Sequence, residues 1–189
     1  MRCDLCTKKC NKGSPCEVRD SVSLYDDEDR EMLRTTNEMN RLTRGQFNRL
    51  QETIEFAKRM GYVRVGLAFC VSLSEEAAVA AKILAPHFEL HTVCCKTAGM
   101  QDDVFDTEPR SGKVAVSCNP AEQARILGEL GTQLNIVMGL CVGHDSVFYK
   151  HSQAPCTTFV VKDRVLGHNP AVALTCSFIR SRMLPRPEK

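Results

Sequence analysis

Short apolar runs that alternate with amphipathic stretches constrain this chain more than any other feature. From Gln46 onward the alternation is regular. Apolar runs at 63–69, 88–93, 134–140 and 157–161 read as buried strands, and 113–116 as a short strand or an ordered approach to the next helix. Between them, Phe47, Leu50, Ile54, Phe56 and Ala57 recur at helical spacing, and Gly61 follows as a stop. Further helices are expected over 74–85, 119–130, 144–150 and 169–183. Asn119-Pro120 and Asn169-Pro170 open two of them, because Asn caps well and Pro suits the first helical position. Short strand–helix spacing implies right-handed crossovers and a parallel sheet covered on both faces. The expected fold class is α/β: a doubly wound, Rossmann-like or flavodoxin-like, mainly parallel sheet preceded by an N-terminal cysteine-rich metal-binding arm. The expected division is 1–45 for the arm with its connecting helix and 46–189 for the α/β domain. The acidic run Asp26-Asp27-Glu28-Asp29 suits a helix start, where carboxylates meet the positive end of the dipole.

Composition narrows the function classes. A net charge of +2 is too balanced for a chain built mainly to grip a nucleic-acid backbone. Aromatic residues are 6% and tryptophan is absent, which leaves no stacking platform for bases. No apolar run approaches the ~20 residues of a membrane helix, and no hydrophobic leader follows Met1, so a cytoplasmic protein without membrane partners is expected. Neither G-x-G-x-x-G nor a Walker A sequence is present. The unusual number is 11 cysteines. In a reducing compartment that points to metal binding or thiol chemistry rather than to disulfides.

Four of these cysteines, Cys3, Cys6, Cys10 and Cys16, crowd a segment too short and polar to pack a core of its own. Four thiolates on one metal would supply the missing stability. Zinc and iron–sulfur clusters both take such ligands, so the metal stays open. A second set is gathered by topology. Cys70, Cys94, Cys95 and Cys141 follow three apolar runs, and Cys118 precedes the Asn119-Pro120 helix start. In a parallel sheet those strand ends share one edge, outside which ligands of open α/β sheets bind. Helix N-termini at the same edge favour thiolate over thiol. Cys156 and Cys176 are assigned to packing. His144 and His168, expected on the cysteine-bearing edge, are candidate proton donors, with Asp145 as an acid–base group or an orienter of His144. Asp163 and Arg164 could line the same crevice, although a lone charged pair there is more often structural.

Several blocks resemble the family catalogued as domain of unknown function 1847. They are Ile54-Glu55-Phe56-Ala57-Lys58-Arg59-Met60-Gly61-Tyr62, Gly66-Leu67-Ala68-Phe69-Cys70, Val93-Cys94-Cys95-Lys96, Cys118-Asn119-Pro120, Gly139-Leu140-Cys141-Val142-Gly143-His144-Asp145 and the run from Lys162 to Pro170. The resemblance implies a metal-binding protein and attaches no reaction to it.

The expected function is therefore metal binding, in the form of an iron–sulfur enzyme. A thiolate-held cluster of the 4Fe-4S kind on Cys70, Cys94, Cys95, Cys118 and Cys141 would perform desulfidase, sulfurtransferase or reductase chemistry on a small molecule. His144, Asp145 and His168 would move protons. The N-terminal cysteines would hold a second cluster or zinc, and the partners would be a sulfur donor or acceptor and an electron-transfer protein. The alternative is a non-catalytic carrier or sensor of zinc, another metal or sulfur.

Overall fold

The computed structural model describes residues 2–7, 10, 21–105 and 114–185. Two helices come first, α1 (Asp27–Thr43) and α2 (Arg49–Arg59). Four strands then alternate with helices: β1 (Arg64–Phe69), α3 (Ser74–Leu84), β2 (Glu89–Cys94), α4 (Pro120–Glu129), β3 (Leu134–Met138), α5 (His144–His151) and β4 (Cys156–Val160). Two short helices, α6 (Val172–Thr175) and α7 (Ser177–Met183), follow.

Capping chemistry sets several boundaries. Asp26 accepts from the Asp29 backbone N–H and Asp29 reciprocates, so the acidic run closes a capping box at the start of α1. Asn48 and Gln51 do the same for α2. Asn119 accepts from the Glu122 N–H ahead of Pro120, as the sequence predicts for α4. α1 buries Thr35, Met39 and Thr43, one residue per turn, and packs along α2.

All strand pairs are parallel, in the order β2-β1-β3-β4. Chain direction along the sheet thus reverses between β1 and β3, and α/β sheets open a crevice at such a point. Side chains alternate between two cores. Val65 and Leu67 of β1, with Leu134, Ile136 and Met138 of β3, join Ile54, Ala57, Ala77 and Leu84 on the α2–α3 side. Ala68 and Val137 join Ala124, Leu127 and Phe148 on the α4–α5 side. Every residue of β3 is buried, which is why its sequence is a continuous apolar run broken only by Asn135.

Asn135 pays its desolvation in hydrogen bonds. Its Oδ1 accepts from Thr132 Oγ1 at 2.8 Å and its Nδ2 donates to Ser152 Oγ at 2.9 Å. Gly66 makes room for it: a Cβ there would lie 2.2 Å from Asn135 Oδ1. The β3–β4 pairing carries a bulge. Val137 pairs with Thr158, but Met138 pairs with Val160, so Phe159 is the extra residue. Phe159 and Val160 consequently both pack towards the α2–α3 core.

The structure departs from the sequence expectation in three places. Asn169-Pro170 does not open one long helix; α6 starts at Val172 and the chain breaks at Cys176, which has extended backbone angles. The Leu174 carbonyl there takes a hydrogen bond from the Arg180 side chain at 3.0 Å. Cys176 is thus a hinge between helices rather than a residue inside one. Cys94 and Cys156 belong to β2 and β4 themselves, because ladder bonding runs one residue further than the apolar pattern. The run 113–116 yields only an isolated antiparallel bridge, Gln101 to Val116, within the described residues.

Two substitutions test this packing. Gly139 has φ +66°, and a Cβ would fall 1.9 Å from Leu73 Cδ1. Gly139→Ala is expected to cost about 2–4 kcal/mol, from overpacking plus the left-handed backbone, read as a lowered urea midpoint. Gly66→Ala is expected to cost about 1–3 kcal/mol. Combined with Asn135→Ala its cost should be sub-additive, because the second change removes the atom it strikes.

Candidate functional site

Beyond the carboxyl ends of β1 and β3, where the strand order reverses, lies a cleft of about 470 Å³. Three segments deliver cysteines to it. Cys70 leaves β1, Cys141 comes three residues after β3, and Cys118 stands just ahead of α4. Cys95 lies against them, buried, on the segment that extends β2. Its N–H donates to the Phe69 carbonyl at 2.9 Å and its carbonyl accepts from Asn119 N–H at 2.8 Å. The far wall is a short antiparallel pairing of residues 100–102 with 115–117, in which Asp102 Oδ1 takes the Ala115 N–H.

The sulfurs are placed as follows. Lys162 Nζ donates to Cys70 Sγ at 2.8 Å and also to Ser72 Oγ, whose distance to Cys70 Sγ is 3.4 Å. Arg164 Nη2 donates to Cys141 Sγ at 3.2 Å. Cys118 Sγ donates to Cys95 Sγ across 3.6 Å, and the Val71 N–H donates to Cys95 Sγ at 3.3 Å. Lys96, its ammonium on the Val116 carbonyl, completes three cations around the cleft, with Asp102 as a carboxylate.

These contacts separate two of the thiols chemically. Burial pushes the Cys70 thiol up, but hydrogen bonds from Lys162, from the Ser72 hydroxyl and from its N–H outweigh it and bring the thiol from 9.0 down to about 7. Burial also pushes Cys95 up; the Val71 N–H opposes this only in part, and Cys118 and Cys70 add to it. Cys70 is thus the sulfur that carries charge near neutral pH, and Cys95 the one that holds its proton.

Of the residues the sequence singles out, Cys70, Cys118, Cys141 and His144 line the cleft and Cys95 lies against it. Cys94, the last residue of β2, does not line it. Asp145 turns to its own backbone within the first turn of α5, with Oδ1 accepting from Gly143 N–H and Ser146 N–H. His168 has φ +63° and accepts the Asp163 N–H on Nδ1 at 3.0 Å. Together with Asp163, which takes the Val165 and Leu166 N–H groups, it builds the turn after β4. Of Asp163 and Arg164, both of which could have lined the crevice, Arg164 does so and Asp163 serves the turn. Cys3, Cys6 and Cys10 are exposed; Cys16 lies outside the described residues. Sequence reasoning missed Ser72, Lys96 and Lys162. The rule that found the cysteines, position just past a strand, would have found Lys162 had it been applied to cations.

Among the described residues no group of three or more Cys, His, Asp or Glu side chains could hold a metal ion. The donor set has the softness for one, but Cys70 and Cys141 are turned to Lys162 and Arg164. The arrangement does not fit a single ion. A second groove, of about 340 Å³, lies between α1, α2 and the start of β4 and holds none of the cleft's residues.

Residues 9–159 match the family model described as protein of unknown function DUF1847. An uncharacterized protein of Methanocaldococcus jannaschii is 42% identical over 190 residues, covering 97% of this chain and 98% of that protein. No solved structure matches. With blocks of the family running from the helix before β1 to the end of the sheet, the chain belongs to the DUF1847 family.

Proposed function

We propose that the protein carries out sulfur chemistry on a small anionic molecule, with Cys70 as the attacking thiolate. One observation carries this reading: a buried lysine, Lys162, hydrogen-bonded to a cysteine that opens on a cleft. Removing an ammonium from water is costly, and a purely structural lysine has no need of a thiol partner. Placed against sulfur, it stabilises the thiolate, which is the nucleophilic form. Lys96 and Arg164 add positive charge where an anionic substrate would sit. His144 lines the same cleft and is the group best placed to exchange a proton with a leaving sulfur. Sulfur transfer and reduction both begin with attack by such a thiolate on a sulfur atom.

The thiolate fraction sets the expected rates. At pH 7 a thiol titrating near 7 is half ionised, against about 1% for one titrating at 9.0, roughly a 50-fold gain. The more acidic thiolate is intrinsically weaker by about 8-fold over two units, which leaves a net gain of about 6-fold. Iodoacetamide labelling of Cys70, followed by peptide mass spectrometry, should rise with pH through a midpoint near 7. In Lys162→Met that midpoint should move to 9 or above, and the rate at pH 7 should fall by about 6-fold or more. A midpoint unmoved by loss of the lysine would refute the assignment.

A second reading, an iron–sulfur centre, is favoured by the meeting of thiols from four separate segments. A cluster distributes its ligands over several iron atoms and does not require them to converge on one ion. Cys95, Cys118 and Cys141 would be its ligands, and the N-terminal cysteines a further site for a cluster or zinc. Protein prepared without oxygen should then be brown and contain iron and sulfide. Colourless protein, with zinc alone or no metal, refutes the cluster.

A further inference from the structure

The cleft contains a second sulfur device that the nucleophile does not explain. We infer that Cys95 and Cys118 form a dithiol pair that closes to a disulfide, supplying two electrons to a small anionic disulfide captured at Cys70. The capture step rests on the reading of Cys70 above; the pair rests on its own geometry.

That geometry is specific. The two sulfurs are 3.6 Å apart, against a covalent S–S length of about 2.05 Å. The backbones that carry them are tied together on both sides of Cys118. Asn119 N–H donates to the Cys95 carbonyl at 2.8 Å, and the neighbouring Lys96 reaches the Val116 carbonyl. Asn119 is itself locked as the cap of α4. The sulfurs thus stand within about 1.6 Å of bonding distance on segments already tied to each other. Only one member opens on the cleft. Cys118 lines it, whereas Cys95 is 1% exposed beneath. An exposed thiol backed by a buried one can exchange with a substrate-derived sulfur and then be resolved from within.

The sequence of bonds balances. The Cys70 thiolate attacks a disulfide RS–SR, forming Cys70–S–S–R and releasing RS⁻. Cys118 sulfur attacks Cys70 sulfur, forming Cys118–S–S–Cys70 and releasing a second RS⁻. Cys95 sulfur attacks Cys118 sulfur, forming the Cys95–Cys118 disulfide and returning Cys70 as thiolate. The protons of Cys95 and Cys118 convert two RS⁻ to two RSH. The protein loses two electrons and the substrate gains them. Cys70 is the favoured leaving group in the last step, because Lys162 and Ser72 already stabilise its negative charge. Lys96, Lys162 and Arg164 favour a substrate whose R groups are carboxylates.

The test uses the full chain, reduced and freed of oxygen. Dithiodipropionate serves as the dianionic disulfide and bis(hydroxyethyl) disulfide as its neutral counterpart. The readouts are released thiol and the linked peptides found by mass spectrometry. Against a Cys70→Ser/Cys95→Ser/Cys118→Ser chain, which reports exchange at the remaining cysteines, wild type should release two more thiols per chain, yield a Cys95–Cys118 bridge, and react faster with the dianion. Cys118→Ser should release only one more, with the substrate half retained on Cys70. Cys70→Ser should form the bridge more slowly by on the order of tenfold. A bridge in Cys70→Ser at the wild-type rate supports the pair and overturns the nucleophile assigned above. Absence of a Cys95–Cys118 bridge from wild type, or its replacement by mixed pairings with Cys94 or Cys141, overturns the inference.

Discussion

Parallel pairing of β1 with both β2 and β3 is the constraint on which everything else rests. It brings three carboxyl ends to one edge at spacings fixed by the ladder. α3 carries the chain to one side of β1 and α4 carries it back to the other, so the strand order reverses between β1 and β3 at that edge. The sulfurs converge there without any local motif. The opposite edge is closed by the Thr132–Asn135–Ser152 network, whose members come from the ends of α4, β3 and α5. One end of the sheet is therefore a satisfied polar knot, and the other a cleft walled by cations and thiols.

Electrostatics then divides thiols of the same chemical type into different roles. The protein does not make the cleft uniformly activating. Cys70 has a buried ammonium and a hydroxyl; Cys141 has a guanidinium at the solvent side; Cys95 has little beyond a backbone N–H and remains buried. A nucleophile and a proton-holding sulfur can thus occupy the same few ångströms.

Much of this was legible in the sequence because hydrophobic periodicity is a strong signal. The strands at 63–69 and 134–140 and the Asn119-Pro120 cap lie close to where the pattern predicts. Position past a strand for Cys70 and Cys141, and before a helix start for Cys118, then grouped these three. What was not legible depends on side-chain direction. Cys94 and Cys95 are adjacent, and only the observed register assigns one to β2 and the other to the cleft's underside. Asp145 and His168 are polar residues at the right edge, yet both satisfy nearby backbone N–H groups, a local use that spacing does not reveal. Lys162 was overlooked because a single lysine after a strand looks like any surface charge until its burial is known.

The bulge at Phe159 links strand geometry to this chemistry. Side chains along a strand alternate sides, so one surplus residue inverts the phase of all that follow. Thr158 pairs with Val137, which packs on the α4–α5 side, whereas Val160 pairs with Met138 on the α2–α3 side, and Lys162, two residues past the end of β4, reaches Cys70. A bulged strand twists more sharply than a regular one, and the segment bearing Lys162 and Arg164 leaves the sheet two residues beyond this irregularity.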